Sequence, residues 1–268
     1  MMKLVALLAA LLLAAGVAGP AAASGGADLR MEPAPINRLD AESLQRGART
    51  FVNYCLNCHA ARYMRYNRLT DLGLSEDQIR DNLMFATDKV ANTMTVAMTA
   101  SEAKAWFGAP PPDLTVEARV RGTDWLYNYF LGFYQDDEST TGWNNIVFPN
   151  VAMPHVLYRL GGTNKLITTE YGEHEAAMAA ALAIKGLVLL EPAKGGKFAV
   201  RSLAVDEPGA LTHAQYRALI TDLVNYLDYM SEPMKNKRIN IGLIVMLYLV
   251  VLFVFAYWMK REYWKDIH

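Results

Sequence analysis

The chain has 268 residues, which is long enough for one or two domains with a buried core. Its 26 lysines and arginines are balanced by 27 aspartates and glutamates, so the formal net charge is −1 at pH 7. Because nucleic-acid-binding proteins usually carry a basic surplus, this balance argues against a nucleic-acid partner. The mean hydropathy of +0.07 is high for a soluble protein. Two apolar segments at the ends of the chain account for much of it.

The N-terminal segment, residues 1–23, has the layout of a secretory signal peptide. Lys3 supplies a short positive region, Leu4 to Ala18 form an apolar region, and Ala21 to Ala23 offer a small-residue cleavage site. The apolar region is short for a membrane span. We therefore expect this segment to be cleaved and the mature chain to be exported, in a bacterium to the periplasm.

The C-terminal segment, residues 239–259, is predicted to cross a membrane as a helix. It contains no charged side chain, and at about 1.5 Å per residue it spans about 30 Å, the thickness of a hydrocarbon core. Tyr257, Trp258 and Trp264 cluster at one end, as in an interfacial aromatic belt. Basic residues flank the helix equally on both sides and do not orient it: Lys235, Lys237, Arg238, Lys260, Arg261 and Lys265.

The expected topology follows from export of the residues between the signal peptide and the C-terminal helix, and from retention of that helix in the bilayer. The chain would be a single-pass protein of the bacterial inner membrane. Four segments are expected after the signal peptide: a periplasmic domain in residues 24–232, a juxtamembrane linker in 233–238, the membrane helix in 239–259 and a cytoplasmic tail in 260–268.

Both cysteines of the chain lie in one short segment, where Cys55, Cys58 and His59 form the pattern C-x-x-C-H. A disulfide would suit an exported protein, but C-x-x-C redox proteins need βαβ units, which the surrounding sequence does not predict. Structural zinc usually takes four ligands, and the chain has only one such cysteine pair. The pattern is also the attachment signal of c-type haem, and we favour this interpretation.

The spacing of the motif suits haem attachment. On a helix, two cysteines three residues apart share one face, so both sulfurs can bond the vinyl groups of one porphyrin. His59 can then turn its imidazole onto the iron as the proximal ligand. Upstream, Asp40 is expected to cap a helix whose apolar residues recur at helical spacing from Leu44 to Cys55.

The sixth iron ligand bears directly on function. Open coordination suggests ligand binding or peroxidase chemistry, whereas methionine suggests electron transfer at raised potential. Met153 lies between Pro149 and Pro154 in an irregular segment, and a proline directly after it fixes the local backbone. His155 is the rival and would give a bis-histidine site of lower potential. The residues alone leave Met153 and His155 open.

Several segments together resemble the cytochrome c1 family, the haem subunit of quinol–cytochrome c oxidoreductase, in its bacterial form. C-x-x-C-H alone is shared by many cytochromes, but a Pro-Pro-Asp-Leu segment with a distant Met-Pro and a C-terminal anchor is much more specific. The resemblance covers nearly the whole mature chain. The matching segments are CLNCH at 55–59, APPPDLT at 109–115, RVRGTDWLYNYFLGFY at 119–134, AMP at 152–154 and the C-terminal span.

The resemblance implies one covalently bound c-type haem. It also implies the residues that hold this haem: the thioether cysteines Cys55 and Cys58, the proximal ligand His59 and the axial ligand Met153. Pro112 belongs to the segment that passes close to the haem in the family. Arg121 matches an arginine near a haem propionate, a pairing that suits a guanidinium, and Arg119 is the alternative. His155 stands where the family often shows a second proline.

The expected fold class is mainly α: a cytochrome c-like haem domain with loop insertions and one short hairpin, plus a single C-terminal transmembrane helix. Residues 24–39 are predicted to form an extended arm, and residues 40–108 to form helices around the attachment site. The segment 123–134 is predicted to be a helix capped by Thr123 or Asp124.

Three further elements are predicted nearer the C-terminus. Residues 165–185 are alanine-rich and are predicted to be helical. Residues 186–202 have strand character and are predicted to turn at Gly195-Gly196. A helix is predicted to begin after Thr212, because Thr212 and Gln215 have capping-box spacing.

The resemblance implies an electron-transfer subunit that is not an enzyme on its own. It would take electrons from the Rieske iron–sulfur protein and pass them to a soluble or membrane-bound cytochrome c, within a dimeric, proton-translocating respiratory complex that contains cytochrome b. Two alternatives stay open: a membrane-anchored monohaem cytochrome feeding a terminal oxidase or reductase, and an exported haem enzyme or gas sensor with an open sixth position. The acidic run Asp136–Glu138 is either a solvated loop or part of a docking surface for a basic cytochrome c.

Overall fold

The computed structural model describes residues 28–96 and 98–266, so the predicted signal peptide lies outside the described residues. The fold class is mainly α, as predicted. The helices are α1 (Ala41–Thr50), α2 (Glu76–Leu83), α3 (Ala100–Phe107), α4 (Glu117–Arg121), α5 (Thr123–Leu131), α6 (Tyr158–Gly161), α7 (His174–Ala183), α8 (His213–Ser231) and α9 (Lys235–Tyr263). A π-helical turn at Phe51–Cys55 and two 3-10 turns, Tyr66–Leu72 and Lys194–Gly196, complete the helical elements of the described chain.

Short antiparallel sheets surround the helices. The strands are β1 (Asp28–Arg30), β2 (Ala61–Arg65), β3 (Thr93–Met94), β4 (Phe133–Gln135), β5 (Trp143–Asn145), β6 (Gly162–Tyr171), β7 (Val188–Pro192) and β8 (Phe198–Pro208). The largest sheet has the order β1-β7-β8-β6, while β2 pairs with β3 and β4 pairs with β5. The β7–β8 hairpin confirms the prediction for residues 186–202, with positive φ angles at Gly195 and Gly196.

The main core forms where α1 crosses α8. A Cβ atom on Gly47 would lie 2.0 Å from the carbonyl oxygen of Asp222, so only glycine allows this close approach. Beside the crossing, Arg46 Nε donates to Asp222 Oδ2 at 2.6 Å and Arg46 Nη2 donates to Oδ1 at 2.9 Å. The rings of Phe51 and Tyr226 are fully buried, with centroids 5.5 Å apart. The crossing therefore fixes the end of α1 from which the C-x-x-C-H motif follows.

The predicted start signals of α1 and α8 are confirmed. Asp40 Oδ1 accepts the Ser43 N–H at 3.0 Å. At α8 the Thr212 Oγ1 accepts the Gln215 N–H at 3.4 Å, and the Gln215 Oε1 accepts the Thr212 N–H at 3.0 Å. Each side chain satisfies backbone donors that a helix end leaves free.

The predicted helix over residues 165–185 is wrong in its first part. Residues 162–171 form β6, and the helix α7 covers only His174–Ala183. The segment contains the β-branched run Ile167, Thr168 and Thr169, which favours a strand. In the register with β8, Ile167 pairs with Ser202 and Thr168 pairs with Arg201. Pairing with a strand distant in sequence extends the sheet well beyond the predicted hairpin.

The predicted cap of α5 is also wrong. The residue before the helix is Gly122, and neither Thr123 nor Asp124 caps it through its side chain. Asp124 Oδ1 instead accepts the Ala34 N–H at 2.8 Å and ties the N-terminal arm to α5. The helix also ends at Leu131, because the following residues enter β4.

The long helix α9 leaves the folded body. Its portion Lys237–Tyr263 is long and apolar enough to cross a membrane, by length and composition. The side chains of residues 239–259 are all exposed, although most are large and apolar. An apolar helix with no buried face fits a membrane anchor better than a core helix.

Candidate haem site

The C-x-x-C-H motif lies on a wide helical turn at the end of α1. Leu56 N–H donates to the Phe51 carbonyl at 3.0 Å, the five-residue spacing of a π turn. The Cys58 N–H and the His59 N–H then both donate to the Cys55 carbonyl, at 3.0 Å and 2.8 Å. This backbone places the two thiols one turn apart, as the sequence predicted, with the imidazole directly after them.

A cavity of about 330 Å³ opens beside the motif. It brings together all six residues that the sequence singled out: Cys55, Cys58, His59, Pro112, Arg121 and Met153. Most of the other lining residues are aromatic or aliphatic: Tyr54, Phe107, Leu114, Trp125, Leu126, Tyr129, Phe130, Phe148, Val151, Val156 and Leu227. An apolar chamber that combines two thiols, an imidazole and a thioether suits a c-type haem, whose ring is apolar and whose iron takes nitrogen and sulfur ligands.

The imidazole of His59 is already oriented for ligation. Its Nδ1–H donates to the carbonyl oxygen of Pro112 at 2.8 Å, which leaves the Nε2 lone pair available for a metal. Burial lowers the pKa of His59, although the bond to Pro112 opposes this. Burial therefore favours the neutral ring, which is the form that binds iron.

The two thiols lie in a different environment from those of a redox dithiol. They form no disulfide with each other. Burial raises the pKa of Cys55 to about 12 and also raises the pKa of Cys58, whereas reactive C-x-x-C thiols have lowered pKa values. Within residues 28–96 and 98–266, no group of three or more His, Cys, Asp or Glu side chains gathers to hold a metal ion. A zinc site at the motif is therefore unsupported.

Met153 and its rival His155 point into different surroundings. Met153 is partly buried and lines the cavity. His155 is 4% exposed and stacks on Phe133, with ring centroids 4.9 Å apart and an interplanar angle of 5°. Trp143 meets the His155 ring edge-on at 5.2 Å. Burial among these rings lowers the pKa of His155 to about 4, so it is a neutral core residue.

Arg121 reaches the cavity from the end of α4. Its guanidinium lies 4.8 Å from the ring centroid of Trp125 and 5.6 Å from that of Phe148. Its Nε donates to Glu117 Oε1 at 3.1 Å. The alternative, Arg119, is exposed and is not among the described residues that line the cavity. The geometry thus favours Arg121 as the cation near the site.

The Pro-Pro-Asp-Leu segment is held against the motif by hydrogen bonds that sequence reasoning did not foresee. Leu114 N–H donates to the Ala60 carbonyl at 2.9 Å. Asp113 accepts from the Arg62 N–H at 2.9 Å and from the Thr115 hydroxyl at 2.5 Å. Burial alone would raise the pKa of Asp113, but these hydrogen bonds outweigh it and lower the pKa. The carboxylate therefore fastens the loop that carries the Pro112 carbonyl.

Two aromatic residues of α5 also shape the cavity. Trp125 and Tyr129 stack at a centroid distance of 4.9 Å and an interplanar angle of 12°. The Tyr129 hydroxyl donates to the Met153 sulfur at 3.4 Å. From the sequence alone, Tyr129 had no predicted role. The four-residue spacing of the two rings on a predicted helix was a usable signal for a shared face.

The residues of the acidic run have different surroundings: one makes hydrogen bonds within a turn, and the other two are exposed to solvent. Asp136 Oδ2 accepts from Asn144 Nδ2 at 2.7 Å, and Asp136 Oδ1 accepts the Glu138 N–H at 3.1 Å, so Asp136 shapes the turn between β4 and β5. Asp137 and Glu138 are exposed.

Comparisons with known proteins identify the family of the chain. The family model described as "Cytochrome C1 family" matches residues 32–188 and 205–267. A cytochrome c1 of Allochromatium vinosum is 43% identical over 247 residues, which are 92% of this chain and 93% of the relative. A protein of Nitrosomonas europaea named ammonia monooxygenase gamma subunit is also 43% identical, over 96% of this chain and 97% of its own length.

A more distant relative is the cytochrome b/c1 of Bradyrhizobium diazoefficiens, which is 23% identical over 87% of this chain and 34% of its own length. The family match extends over both the cavity-forming segments and the long apolar helix. The chain therefore belongs to the cytochrome c1 family and carries one covalently bound c-type haem.

Proposed function

We propose that this chain is the membrane-anchored haem subunit of a quinol–cytochrome c oxidoreductase and passes electrons from a Rieske iron–sulfur protein to a cytochrome c. The observation that carries the proposal is the apolar cavity lined by Cys55, Cys58, His59 and Met153. A c-type haem bound there supplies a reversible one-electron centre. The subunit makes and breaks no substrate bonds; the protein sets the potential of that centre and positions it for its partners.

Each cavity residue has a proposed task. The sulfurs of Cys55 and Cys58 would attach the porphyrin, and the His59 Nε2 and the Met153 sulfur would be the protein ligands of the iron. The apolar walls exclude water, which together with methionine ligation favours a raised potential. Arg121 is proposed to pair with a haem propionate, because its guanidinium reaches the cavity.

The proposed partners rest on the family to which the chain belongs and on the charge of its exposed residues. Cytochrome b is the proposed neighbour of the anchor in a bc1 complex, consistent with the relative in which the two names are joined. We propose that the complex is dimeric and also contains the Rieske protein. The exposed Asp137 and Glu138 are proposed to attract a basic cytochrome c, with their charge acting mainly on the encounter rate.

The proposed location is the bacterial inner membrane. Cleavage of residues 1–23 would leave the haem domain, residues 24–232, in the periplasm. The helix at 239–259 would cross the bilayer and leave residues 260–268 in the cytoplasm. The apolar, exposed residues 239–259 of α9 support the membrane part of this arrangement.

Met153→Leu tests the ligation on which the function rests. The wild-type protein is expected to show the methionine-to-ferric-iron charge-transfer band, and the variant is expected to lose it, with a large fall in midpoint potential. Met178→Leu is a matched control, because Met178 packs against the small core beneath β7 and β8 and does not line the cavity of the described chain. A band that survives in Met153→Leu would move the axial ligand elsewhere. Ready binding of carbon monoxide to the reduced wild type would favour an open-site haem protein.

Purification from native membranes tests the assignment to a complex. The subunit is expected to copurify with a cytochrome b and a Rieske protein, with quinol–cytochrome c reductase activity. Copurification with a terminal oxidase or reductase alone would support the alternative electron acceptor.

A further inference from the structure

The hydroxyl of Tyr129 is directed at the sulfur of Met153. The Tyr129 oxygen and the Met153 sulfur are 3.4 Å apart, which is within the range of an O–H···S hydrogen bond. Both residues line the cavity, and Tyr129 is only 8% exposed. Among the described residues, Met153 is the one hydrogen-bond partner of this hydroxyl. A buried hydroxyl needs a partner, so the bond to sulfur is the favoured orientation.

The ring that carries this hydroxyl is held from several sides. Trp125 stacks on one face at 4.9 Å, and Phe133 meets the ring edge-on at 5.1 Å. The backbone is tied as well, because Asn145 Nδ2 donates to the Tyr129 carbonyl at 2.8 Å. The hydroxyl therefore has little freedom to turn away from Met153.

We propose that Tyr129 is a positioning residue that holds the Met153 thioether in place and raises the potential of the haem. This inference rests on the proposed ligation of iron by Met153. A thioether sulfur has two lone pairs, so it can bind iron with one and accept the Tyr129 hydrogen with the other. The positive end of the O–H dipole then faces the iron site and stabilises the reduced state, which carries one positive charge less.

Tyr129→Phe removes only the hydroxyl and keeps the stacked ring. The variant is expected to have a lower midpoint potential than the wild type in a redox titration followed by absorbance. Its charge-transfer band should persist at a shifted position, because Met153 still binds. Imidazole should displace the less restrained thioether at a lower concentration.

Tyr216→Phe is the matched control. Tyr216 is buried like Tyr129, and its hydroxyl donates to the Phe130 carbonyl at 3.3 Å rather than to Met153. Loss of this hydroxyl should leave the potential and the band unchanged. An equal fall of potential in both variants would mean that any lost buried hydroxyl has this effect, and it would overturn the inference.

The double variant separates this inference from the ligation itself. If Tyr129 acts through Met153, adding Tyr129→Phe to Met153→Leu changes the potential no further. An additional fall in the double variant would overturn the positioning role. A band that survives in Met153→Leu would refute the ligation and this inference with it. A band lost in Met153→Leu, with an unchanged potential in Tyr129→Phe, would refute the inference alone.

Discussion

The imidazole of His59 and the carbonyl of Pro112 are joined by a hydrogen bond of 2.8 Å across 53 residues of chain. The bond connects the attachment motif to a loop that the Asp113 hydrogen bonds fasten in turn. The orientation and tautomer of His59, the proposed proximal ligand, are thus set by a distant segment, an outer support of the kind that metal-binding histidines usually have. This explains why the proline segment lies beside the cavity without supplying an iron ligand.

Removing both cysteines is expected to abolish covalent haem attachment, because the chain has no other thiol. Cys55→Ala combined with Cys58→Ala should give no haem stain after denaturing electrophoresis. Each single variant should keep one thioether and remain stained, with a reduced pyridine haemochrome band shifted to longer wavelength by the remaining vinyl group. A stained double variant would show that attachment occurs elsewhere.

His155→Ala is expected to destabilise the fold without changing the iron ligands. The variant loses the stacking on Phe133 and leaves a cavity in the core, at a cost of about 2–4 kcal/mol in the free energy of unfolding. Denaturant unfolding and the charge-transfer band measure the two effects. His174→Ala, at an exposed position of α7, serves as the control and should change the stability much less. A wild type that lacks the band, together with a band that appears in His155→Ala, would revive His155 as a ligand.

Arg121→Gln is expected to lower the midpoint potential, because a positive charge at the cavity stabilises the haem and its propionates in the reduced state. Arg119→Gln removes the same charge two residues away, from an exposed side chain outside the described cavity lining. It should leave the potential close to that of the wild type. Equal shifts in the two variants would indicate a general charge effect rather than a propionate partner.

Asp113→Asn is expected to reduce stability at neutral pH and to have no such effect in acid. Hydrogen bonds hold the pKa of Asp113 below its ordinary value of 3.8, so the folded state binds its proton more weakly than the unfolded state. The resulting stabilisation is complete above pH 3.8 and is lost as the pH falls through the lowered pKa. Urea unfolding of both proteins from pH 7 to pH 2 measures the difference. Asp81→Asn, at an exposed position of α2, should match the wild type throughout, whereas a gap for Asp113→Asn that persists at pH 2 would contradict this account.

The chemistry of the site was largely predictable from the sequence because its residues are rare and rigidly spaced. A few neighbouring residues are enough to recognise the two cysteines with their adjacent histidine, and likewise the methionine before a proline. The choice between Met153 and His155 was harder to predict, since it depends on which of the two side chains the loop turns toward the cavity. The sequence resembled a family in which methionine has that place, and the structure puts His155 against Phe133 and Trp143.

The errors arose where distant segments decide the local structure. Residues 165–171 become a strand because β8, whose paired residues lie 27 to 39 positions later, supplies a partner. Aspartate is a residue type that often caps helices, but Asp124 accepts the Ala34 N–H of the N-terminal arm instead. The bond between Tyr129 and Met153 joins residues that are 24 positions apart, so no local pattern reveals it.

The junction between α8 and α9 limits how far the haem can travel. Only residues 232–234 separate the two helices, which gives a tether of about 10 Å even when fully stretched. Arg238 pairs with Glu232 across this tether at 2.6 Å, and Arg38 Nη2 holds the Glu232 carbonyl at 2.7 Å. Because Leu227 of the same α8 lines the cavity, the pocket is expected to keep a nearly constant distance from the start of α9. In the proposed complex the subunit is thus expected to be a fixed electron carrier, and any movement between carriers would belong to its partners.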